Sequence, residues 1–198
     1  ENGKSVKLEK GELVCKSSFP SKPIYFWNDK NNRKYLETYF DKYKNIWRHG
    51  DYCEKTQNNG YIIYGRSDAT LNAGGIRFGT AELYRVVENI NNIMECVAVE
   101  HNIQTDTEVI LFIKMKDKMK FNETLNKTIR FEIKSSLSPK HVPSKIFQVD
   151  DIPKTKSGKI VELTIKNIIN GKDVKNKNAL ANPDCLKEYQ NIYQKLNK

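Results

Sequence analysis

The sequence lacks any apolar run long enough to cross a bilayer, and it lacks regularly spaced cysteines and histidines. A membrane helix needs roughly 20 apolar residues, and the chain begins without the apolar core of a signal peptide. Its four cysteines stand far apart, and its three histidines fall at no metal-ligand interval. We therefore expect no membrane partner, no bound metal, reduced buried thiols and a cytoplasmic location.

A concentrated block of one charge is also missing, although the formal net charge is +10. A basic protein of 198 residues invites a nucleic-acid or membrane-surface interpretation. The excess of lysine and arginine is spread over the two ends of the chain, however, and no dense basic tract alternates with stacking aromatic residues. We predict no nucleic-acid partner and keep a basic nucleic-acid-binding module as the weakest alternative function.

What is present is enough apolar material for a core, at 38% hydrophobic residues. Residues 1–67 alternate strand-like runs with turns, and the Asn58-Asn59-Gly60 turn is typical of a hairpin. The predicted elements here are strands over Gly11–Cys15 and Ile24–Trp27, a helix over Tyr35–Phe40, and a hairpin that joins a strand ending near Cys53 to a strand over Tyr61–Tyr64.

From Asp68 onward the pattern changes to alternating helices and strands. Apolar residues spaced three and four apart predict helices that begin at Thr80, as an N-cap, and at Asn122. The predicted elements are helices from Thr80 to about Asn91, from Asn122 to Pro139 and over 160–169, and strands over 95–100, 109–115 and 145–149. Helices on a small, mostly antiparallel sheet form a self-sufficient α+β unit.

These patterns divide the chain into three parts. We expect a β-rich part at 1–67, an α+β domain at 68–170, and an extension at 171–198 with one short helix, which either packs as a strap or frays. The pair Gly74-Gly75 follows the first junction and lies between two short apolar runs. Such a pair most often forms a hairpin turn, and it also lets a ligand approach the backbone closely.

Four ordered motifs resemble the end of an adenylate-forming acyl-CoA synthetase. They are His49-Gly50-Asp51, Gly65-Arg66-x-Asp68, Gly75-x-Arg77 followed by Glu82, and Thr155-x-Ser157-Gly158-Lys159. The resemblance covers nearly the whole chain, and four motifs at fitting intervals make a strong signal where any one would be weak. Within the superfamily, the sequences around Trp47, Ser67 and Ala179 are most similar to the acetoacetate-specific members.

The resemblance implies a fold and a division of labour. Residues 1–67 would be the last, β-rich subdomain of a large adenylation domain, incomplete here, and residues 68–170 would be the C-terminal lid domain. Family members carry a Ser/Thr/Gly-rich phosphate-binding loop and the acid pocket in their N-terminal domain, and no such loop occurs in this sequence. We therefore expect the chain to need that N-terminal domain of the same enzyme as its partner and to be inactive alone.

The resemblance assigns nucleotide contacts to three residues, and each has a plainer alternative. Asp51 would accept hydrogen bonds from both ribose hydroxyls, although an aspartate after glycine commonly forms a turn. Arg66 would reach the same nucleotide, or it would end its strand in solvent. Arg77 would bind phosphate oxygens, or it would pair with Glu82 or Glu88.

The lid residues implied by the resemblance serve CoA and the chemical step. Gly74 and Gly75 would let the pantetheine arm of CoA pass against bare backbone, and Arg130 would contact a CoA phosphate or lie on a solvated helix face. Asp68 would be the hinge about which the lid turns. Lys159 would be the catalytic lysine, offsetting charge between the acid carboxylate and the α-phosphate, or it would be an ordinary exposed loop lysine.

The implied reaction joins acetoacetate to CoA in two steps. ATP, accompanied by Mg²⁺, activates the acid as an acyl-adenylate with release of pyrophosphate, and the CoA thiol then displaces AMP. Lys154 and Ile160 stand where an aromatic residue and a lysine are expected in the acetoacetate-specific members. These departures keep another short-chain synthetase, specific for acetate or propionate, as the main alternative.

Overall fold

A computed structural model describes residues 3–73, 75–104, 106–174 and 176–197. The chain divides into two compact units, Glu1–Asp68 and Ala69–Lys198. In chain order the strands and helices are β1 Lys10–Cys15, α1 Arg33–Tyr39, β2 Trp47–Lys55, β3 Tyr61–Arg66, β4 Leu71–Ala73, β5 Ile76–Phe78, α2 Thr80–Val87, β6 Ile93–Ile103, β7 Asp106–Met115, α3 Glu123–Ser136, β8 Lys145–Val149, α4 Glu162–Ile169 and α5 Leu186–Leu196.

The first unit is built on a three-stranded antiparallel sheet in the order β1-β2-β3. The turn between β2 and β3 closes through a 2.9 Å bond from Thr56 N to Gly60 O, with Asn59 at a φ of +62°. Asparagine and glycine tolerate the left-handed backbone that tight hairpins require. The predicted hairpin is confirmed.

The predicted strand at Ile24–Trp27 is wrong, because this segment has no strand pairing. Ile24 and Trp27 are 86% and 90% exposed. Phe26 instead packs edge-to-face on Tyr35 and Tyr39, with ring centroids 5.6 Å away in each case. The aromatic side chain therefore joins a cluster on α1 rather than the face of a sheet.

The second unit places helices on both faces of a three-stranded sheet in the order β6-β7-β8. Strand β7 pairs antiparallel with β6 and parallel with β8. One face buries residues of α2 and α3, among them Leu83, Val87, Leu125, Ile129 and Ile133. The other face buries residues of α4 and α5, among them Ile165, Ile168, Ile169, Tyr189 and Ile192. The predicted α+β class, with mostly antiparallel strands and flanking helices, is confirmed.

The two predicted N-caps have different outcomes. Asn122 caps α3, since its Oδ1 accepts a 2.9 Å bond from Leu125 N. Thr80 is the first residue of α2 rather than its cap. The cap is Gly79, whose N–H donates to Glu82 Oε1 at 2.9 Å. The Glu82 carboxylate therefore accepts a hydrogen bond from the backbone N–H of the capping residue, Gly79, as in a capping box.

The extension beyond α4 packs onto the core as a strap. Leu180, Leu186 and Tyr189 are at most 7% exposed and join the second apolar face of the sheet. Apolar burial of this kind stabilises a segment by about 25 cal/mol per Å², so the extension belongs to the folded body of the second unit. Within the described ranges, no helix is both long and apolar enough to span a membrane.

Candidate active site

Asp51 and Arg66 lie opposite each other on neighbouring strands. Asp51 in β2 is the Cα partner of Arg66 in β3. Arg66 Nη1 is 3.7 Å from Asp51 Oδ1, and His49 Nε2 is 3.3 Å from Asp51 Oδ2. The Asp51 side chain is 23% exposed, which leaves the carboxylate able to accept further hydrogen bonds from a ligand. The antiparallel register thus brings two of the predicted nucleotide residues together.

Asp68 completes this cluster by binding the same arginine. Its carboxylate accepts hydrogen bonds from Arg66 Nε at 3.3 Å and from Nη2 at 3.2 Å. Burial alone would lower the pKa of Arg66, but the hydrogen bond and charge of Asp68, with the charges of Asp51 and Glu12, outweigh burial and raise that pKa. The predicted hinge residue therefore orients the predicted nucleotide-binding arginine.

An open pocket of about 400 Å³ lies beside the cluster. It is lined by residues of α1, β2 and the end of β3, namely Glu37, Thr38, Tyr39, Trp47, Arg48, His49, Gly50, Arg66 and Asp68. The rings of Tyr39 and Trp47 stack within it, 3.6 Å apart and 17° from parallel. Asp51 does not line this pocket, but it forms an ion pair with Arg66, which does. Trp47 is 6% exposed and its face is covered by Tyr39, so the pocket offers mainly the convergent polar groups that orient a ligand.

Gly50 has a steric role in the cluster. Its φ is +85°, and a Cβ at this position would lie 2.6 Å from Arg66 Nη2 and 3.0 Å from Arg66 Cζ. Positive φ strains any residue with a side chain, and here the added atom would also displace the guanidinium from its carboxylates. The positive φ therefore favours glycine between His49 and Asp51, and a Cβ there would also press on the guanidinium of Arg66.

We expect Gly50→Ala to lower the free energy of unfolding by about 2–4 kcal/mol, combining backbone strain with overpacking. Gly75→Ala is the matched control, because Gly75 has a φ of +82° and, its chain neighbours apart, no atom of the described residues lies within 4 Å of an added Cβ. That control should lose only about 1–2 kcal/mol from strain. Urea unfolding of each variant measures both values, and equal losses would show that Arg66 yields without cost.

Strands β4 and β5, on either side of the glycine pair, are antiparallel, with Leu71 paired to Phe78 and Ala73 to Ile76. Gly74 lies outside the described residues. Gly75 has positive φ and open space beside its backbone. Arg77 extends from β5, and its Nε donates a 2.8 Å hydrogen bond to Thr70 Oγ1.

Arg130 cross-links α3 to the segment that enters β8. Its Nε donates to Asn126 Oδ1 at 3.0 Å, its Nη1 to Pro143 O at 2.7 Å, and its Nη2 to Ser144 O at 3.0 Å. Three donors of the guanidinium are thus used within the fold. This network gives Arg130 a structural role whatever it does toward a CoA phosphate.

Lys159 lies in a short, well-bonded loop between β8 and α4. Lys154 and Ile160 form an isolated antiparallel bridge at its base. Across the loop, Thr155 N donates to Lys159 O at 2.8 Å and Lys159 N donates to Thr155 Oγ1 at 3.1 Å. The Lys159 side chain is exposed, and among the described residues no hydrogen bond or ion pair engages its amino group. Its backbone is fixed while its charge is presented to solvent.

The neighbouring Lys154 is committed elsewhere, because its Nζ forms an ion pair with Glu95. The predicted site residues thus lie in separate places. Asp51, Arg66 and Asp68 form one cluster in the first unit, while Gly75 and Arg77 in the β4–β5 hairpin, Arg130 on α3 and Lys159 in its loop belong to the second unit.

Two residues of these sites escape prediction from the sequence. Gly50 looks like part of a turn, whereas the structure places it within β2 with a φ of +85° and beside Arg66. Asn182 carries no local signal, since its side-chain partners Asp151 and Ile152 are 31 and 30 positions away in the chain. No group of three or more potential metal ligands occurs among the residues the structure describes.

Comparison with known proteins identifies relatives of this chain. Residues 85–159 match the model of the AMP-binding enzyme C-terminal domain. An acetoacetyl-coenzyme A synthetase of Rhizobium meliloti is 49% identical over 94% of this chain and 29% of its own length. Acetoacetyl-CoA synthetase of Xenopus tropicalis is 45% identical over 97% of the chain and 29% of its own length.

Solved structures agree with these sequence relatives. Acetoacetyl-CoA synthetase from Streptomyces lividans superposes with a TM-score of 0.90 at 34% identity, over 98% of this chain and 29% of that one. The chain corresponds to the C-terminal portion of an adenylate-forming acyl-CoA synthetase. A benzoate CoA ligase from Burkholderia xenovorans is more distant, with a TM-score of 0.68 at 26% identity over 82% of this chain and 31% of that one. The chain spans less than a third of the length of these relatives.

Proposed function

We propose that the enzyme containing this chain joins acetoacetate to CoA at the expense of ATP. The 49% identity to an acetoacetyl-coenzyme A synthetase over 94% of the chain is the observation that carries this proposal. A carboxylate oxygen of acetoacetate attacks the α-phosphorus of ATP, and pyrophosphate leaves; Mg²⁺ would accompany ATP as part of the substrate. The CoA thiol then loses its proton and attacks the acyl carbon, so that AMP departs with the bridging oxygen.

In this proposal the cluster in the first unit holds the nucleotide. Asp51 accepts hydrogen bonds from the ribose hydroxyls, because its short, ionised side chain offers two oxygens. Arg66 is held by Asp68 on one edge at 3.2 and 3.3 Å and approaches Asp51 to 3.7 Å. Its guanidinium thereby sets the position of the ribose acceptor and places a positive charge beside the nucleotide.

The second unit supplies the groups that differ between the two steps. Lys159 serves adenylation, since an exposed ammonium on a fixed loop can stabilise the charge that develops between carboxylate and phosphate. Gly75, with open space beside its backbone among the described residues, and Gly74 serve thioester formation by admitting the pantetheine arm. Arg130 contacts a CoA phosphate, and Arg77 binds phosphate oxygens of the nucleotide. Residues 1–67 are the end of the adenylation domain, residues 68–170 are the lid, and residues 171–198 extend the lid. Asp68 is the hinge between the adenylation domain and the lid. We place the enzyme in the cytoplasm.

Acid specificity tests the proposed function. The intact enzyme is assayed for acid-dependent thioester formation with acetoacetate, acetate, propionate and benzoate. A site that hydrogen-bonds the 3-keto group disfavours acids that lack it, so we expect kcat/KM for acetoacetate to exceed that for acetate and propionate by at least about 10²-fold. A preference for acetate or propionate would assign the enzyme to the other short-chain synthetases.

A further inference from the structure

The chain extension around Leu180 to Tyr189 grips the segment that leads to the Lys159 loop. Leu180 forms an antiparallel bridge with Thr155, and Ala181 N donates to Lys154 O at 2.9 Å. Tyr189 OH donates to Asp151 O at 3.0 Å. The extension therefore adds a short pairing edge directly to the strand-like base of the loop.

Asn182 is the centre of this grip. Its Nδ2 donates to Asp151 Oδ2 at 2.5 Å and to Ile152 O at 2.8 Å, while its Oδ1 accepts from Lys154 N at 2.9 Å. One half-buried amide thus satisfies three groups spread over four consecutive residues. An amide with both donors and its acceptor engaged holds a backbone in one conformation, since each lost bond leaves a polar group unpaired.

The acceptor Asp151 is itself held in its ionised form. Its Oδ1 receives a 2.7 Å hydrogen bond from Lys114 Nζ. Burial would raise the pKa of Asp151, but the hydrogen bonds from Lys114 and Asn182 outweigh burial and lower it. The contact with Asn182 is therefore a charge-assisted bond, which strengthens the grip.

This grip continues to the lysine through Thr155. The backbone of Thr155 is paired with Leu180 on one side. On the other side Thr155 N bonds Lys159 O at 2.8 Å, and its Oγ1 accepts from Lys159 N at 3.1 Å. Movement of the segment at 151–155 would thus be transmitted to the Cα of Lys159.

We propose that Asn182, with the extension that carries it, is a positioning residue that holds the Lys159 loop in the conformation required for adenylation. This inference rests on the proposed function for the role of Lys159. Asn182 touches neither substrate nor reacting atoms, and it acts only through the backbone of the loop. The extension then contributes to adenylation by positioning the Lys159 loop, in addition to packing on the core of the second unit.

Asn182→Ala in the intact enzyme tests this proposal. Displacement of a catalytic group by about an ångström slows a reaction by up to about 10², so pyrophosphate exchange should fall by about 10- to 100-fold. Thioester formation from preformed acyl-adenylate should change by less than about threefold, because Lys159 has no part in that transition state. Asn197→Ala is the matched control, since among the described residues the side chain of this C-cap of α5 bonds only Tyr193 O, at 2.9 Å.

A double-mutant cycle separates positioning from general destabilisation. In a Lys159→Ala background, Asn182→Ala should cost no further adenylation rate, because the group it positions is gone. An additive loss, an equal loss in both half-reactions, or no loss in adenylation would each overturn the proposal.

Hydrogen exchange, which does not depend on enzyme activity, tests the positioning role of Asn182 separately from the proposed role of Lys159. In the intact enzyme, Asn182→Ala should speed amide hydrogen exchange of Thr155 and Lys154 by at least about tenfold, while Asn197→Ala should not. Unchanged exchange would overturn the positioning role whatever the rates. If exchange accelerates but Lys159→Ala alone leaves adenylation at the parental rate, the grip stands as a structural device and the assigned role of Lys159 fails.

Discussion

Lys159→Ala in the intact enzyme should slow adenylation by about 10²–10³, the scale of losing one well-placed electrostatic stabiliser. The loop keeps the backbone of Lys159 fixed through Thr155, so the substitution removes the charge with little other change. Thioester formation from preformed acetoacetyl-adenylate should stay within about tenfold of the parent, because an interaction absent from a transition state leaves its barrier unchanged. Pyrophosphate exchange and a thiolation assay on one preparation measure both rates.

Lys156→Ala is the matched control for this experiment. Lys156 is an exposed lysine three positions away in the same loop, so its removal changes the net charge equally. It should leave both half-reactions within about twofold of the parent. If Lys159→Ala lowers both rates equally, the residue is structural, and if the two lysine variants behave alike, the lysine has no specific role.

Asp68→Pro should separate the two half-reactions by trapping one orientation of the lid. Proline holds φ near −65° and removes a backbone donor, and Asp68 is the last residue before the second compact unit begins at Ala69. We expect one half-reaction to stay within about tenfold of the parent and the other to fall by about 10² or more, as for a lost conformational step.

Asp68→Ala distinguishes the hinge from the ion pair. Asp68 also holds Arg66 through two hydrogen bonds, and alanine removes this contact without restricting φ. Alanine should weaken ATP binding, seen as a higher KM for ATP, while both half-reactions continue. If alanine reproduces the split between half-reactions, the ion pair with Arg66 and not the backbone is responsible, and parental rates in Asp68→Pro would place the hinge elsewhere.

Local patterns predicted the elements whose stability is decided within a few residues. The four-residue spacing of Leu125, Ile129 and Ile133 identifies α3, and these residues are buried as the pattern requires. Asn122 is a cap because its side chain reaches a donor three positions away. Periodicity and capping are local, so the sequence is sufficient for them.

Contacts between distant residues account for what the sequence left open. Ile24–Trp27 has strand composition, but Phe26 finds a better partner in the rings of α1. The motif order suggested which residues serve the nucleotide, whereas the approach of Arg66 to Asp51 and Gly50 depends on the register of β2 and β3. The role of Asn182 needs the folded extension, because its partners lie about thirty positions earlier.

The most direct test of the adenylate mechanism follows one carboxylate oxygen of acetoacetate into the products. The intact enzyme is supplied with ATP, CoA and acetoacetate labelled with ¹⁸O in its carboxylate, and the products are examined by mass spectrometry. If the carboxylate attacks the α-phosphorus, one ¹⁸O must appear in AMP, because the bridging oxygen leaves with the nucleotide when the thiol attacks the acyl carbon. Label in inorganic phosphate together with ADP, or no transfer of label to AMP, would contradict the adenylate mechanism and with it the roles of Asp51, Arg66 and Lys159.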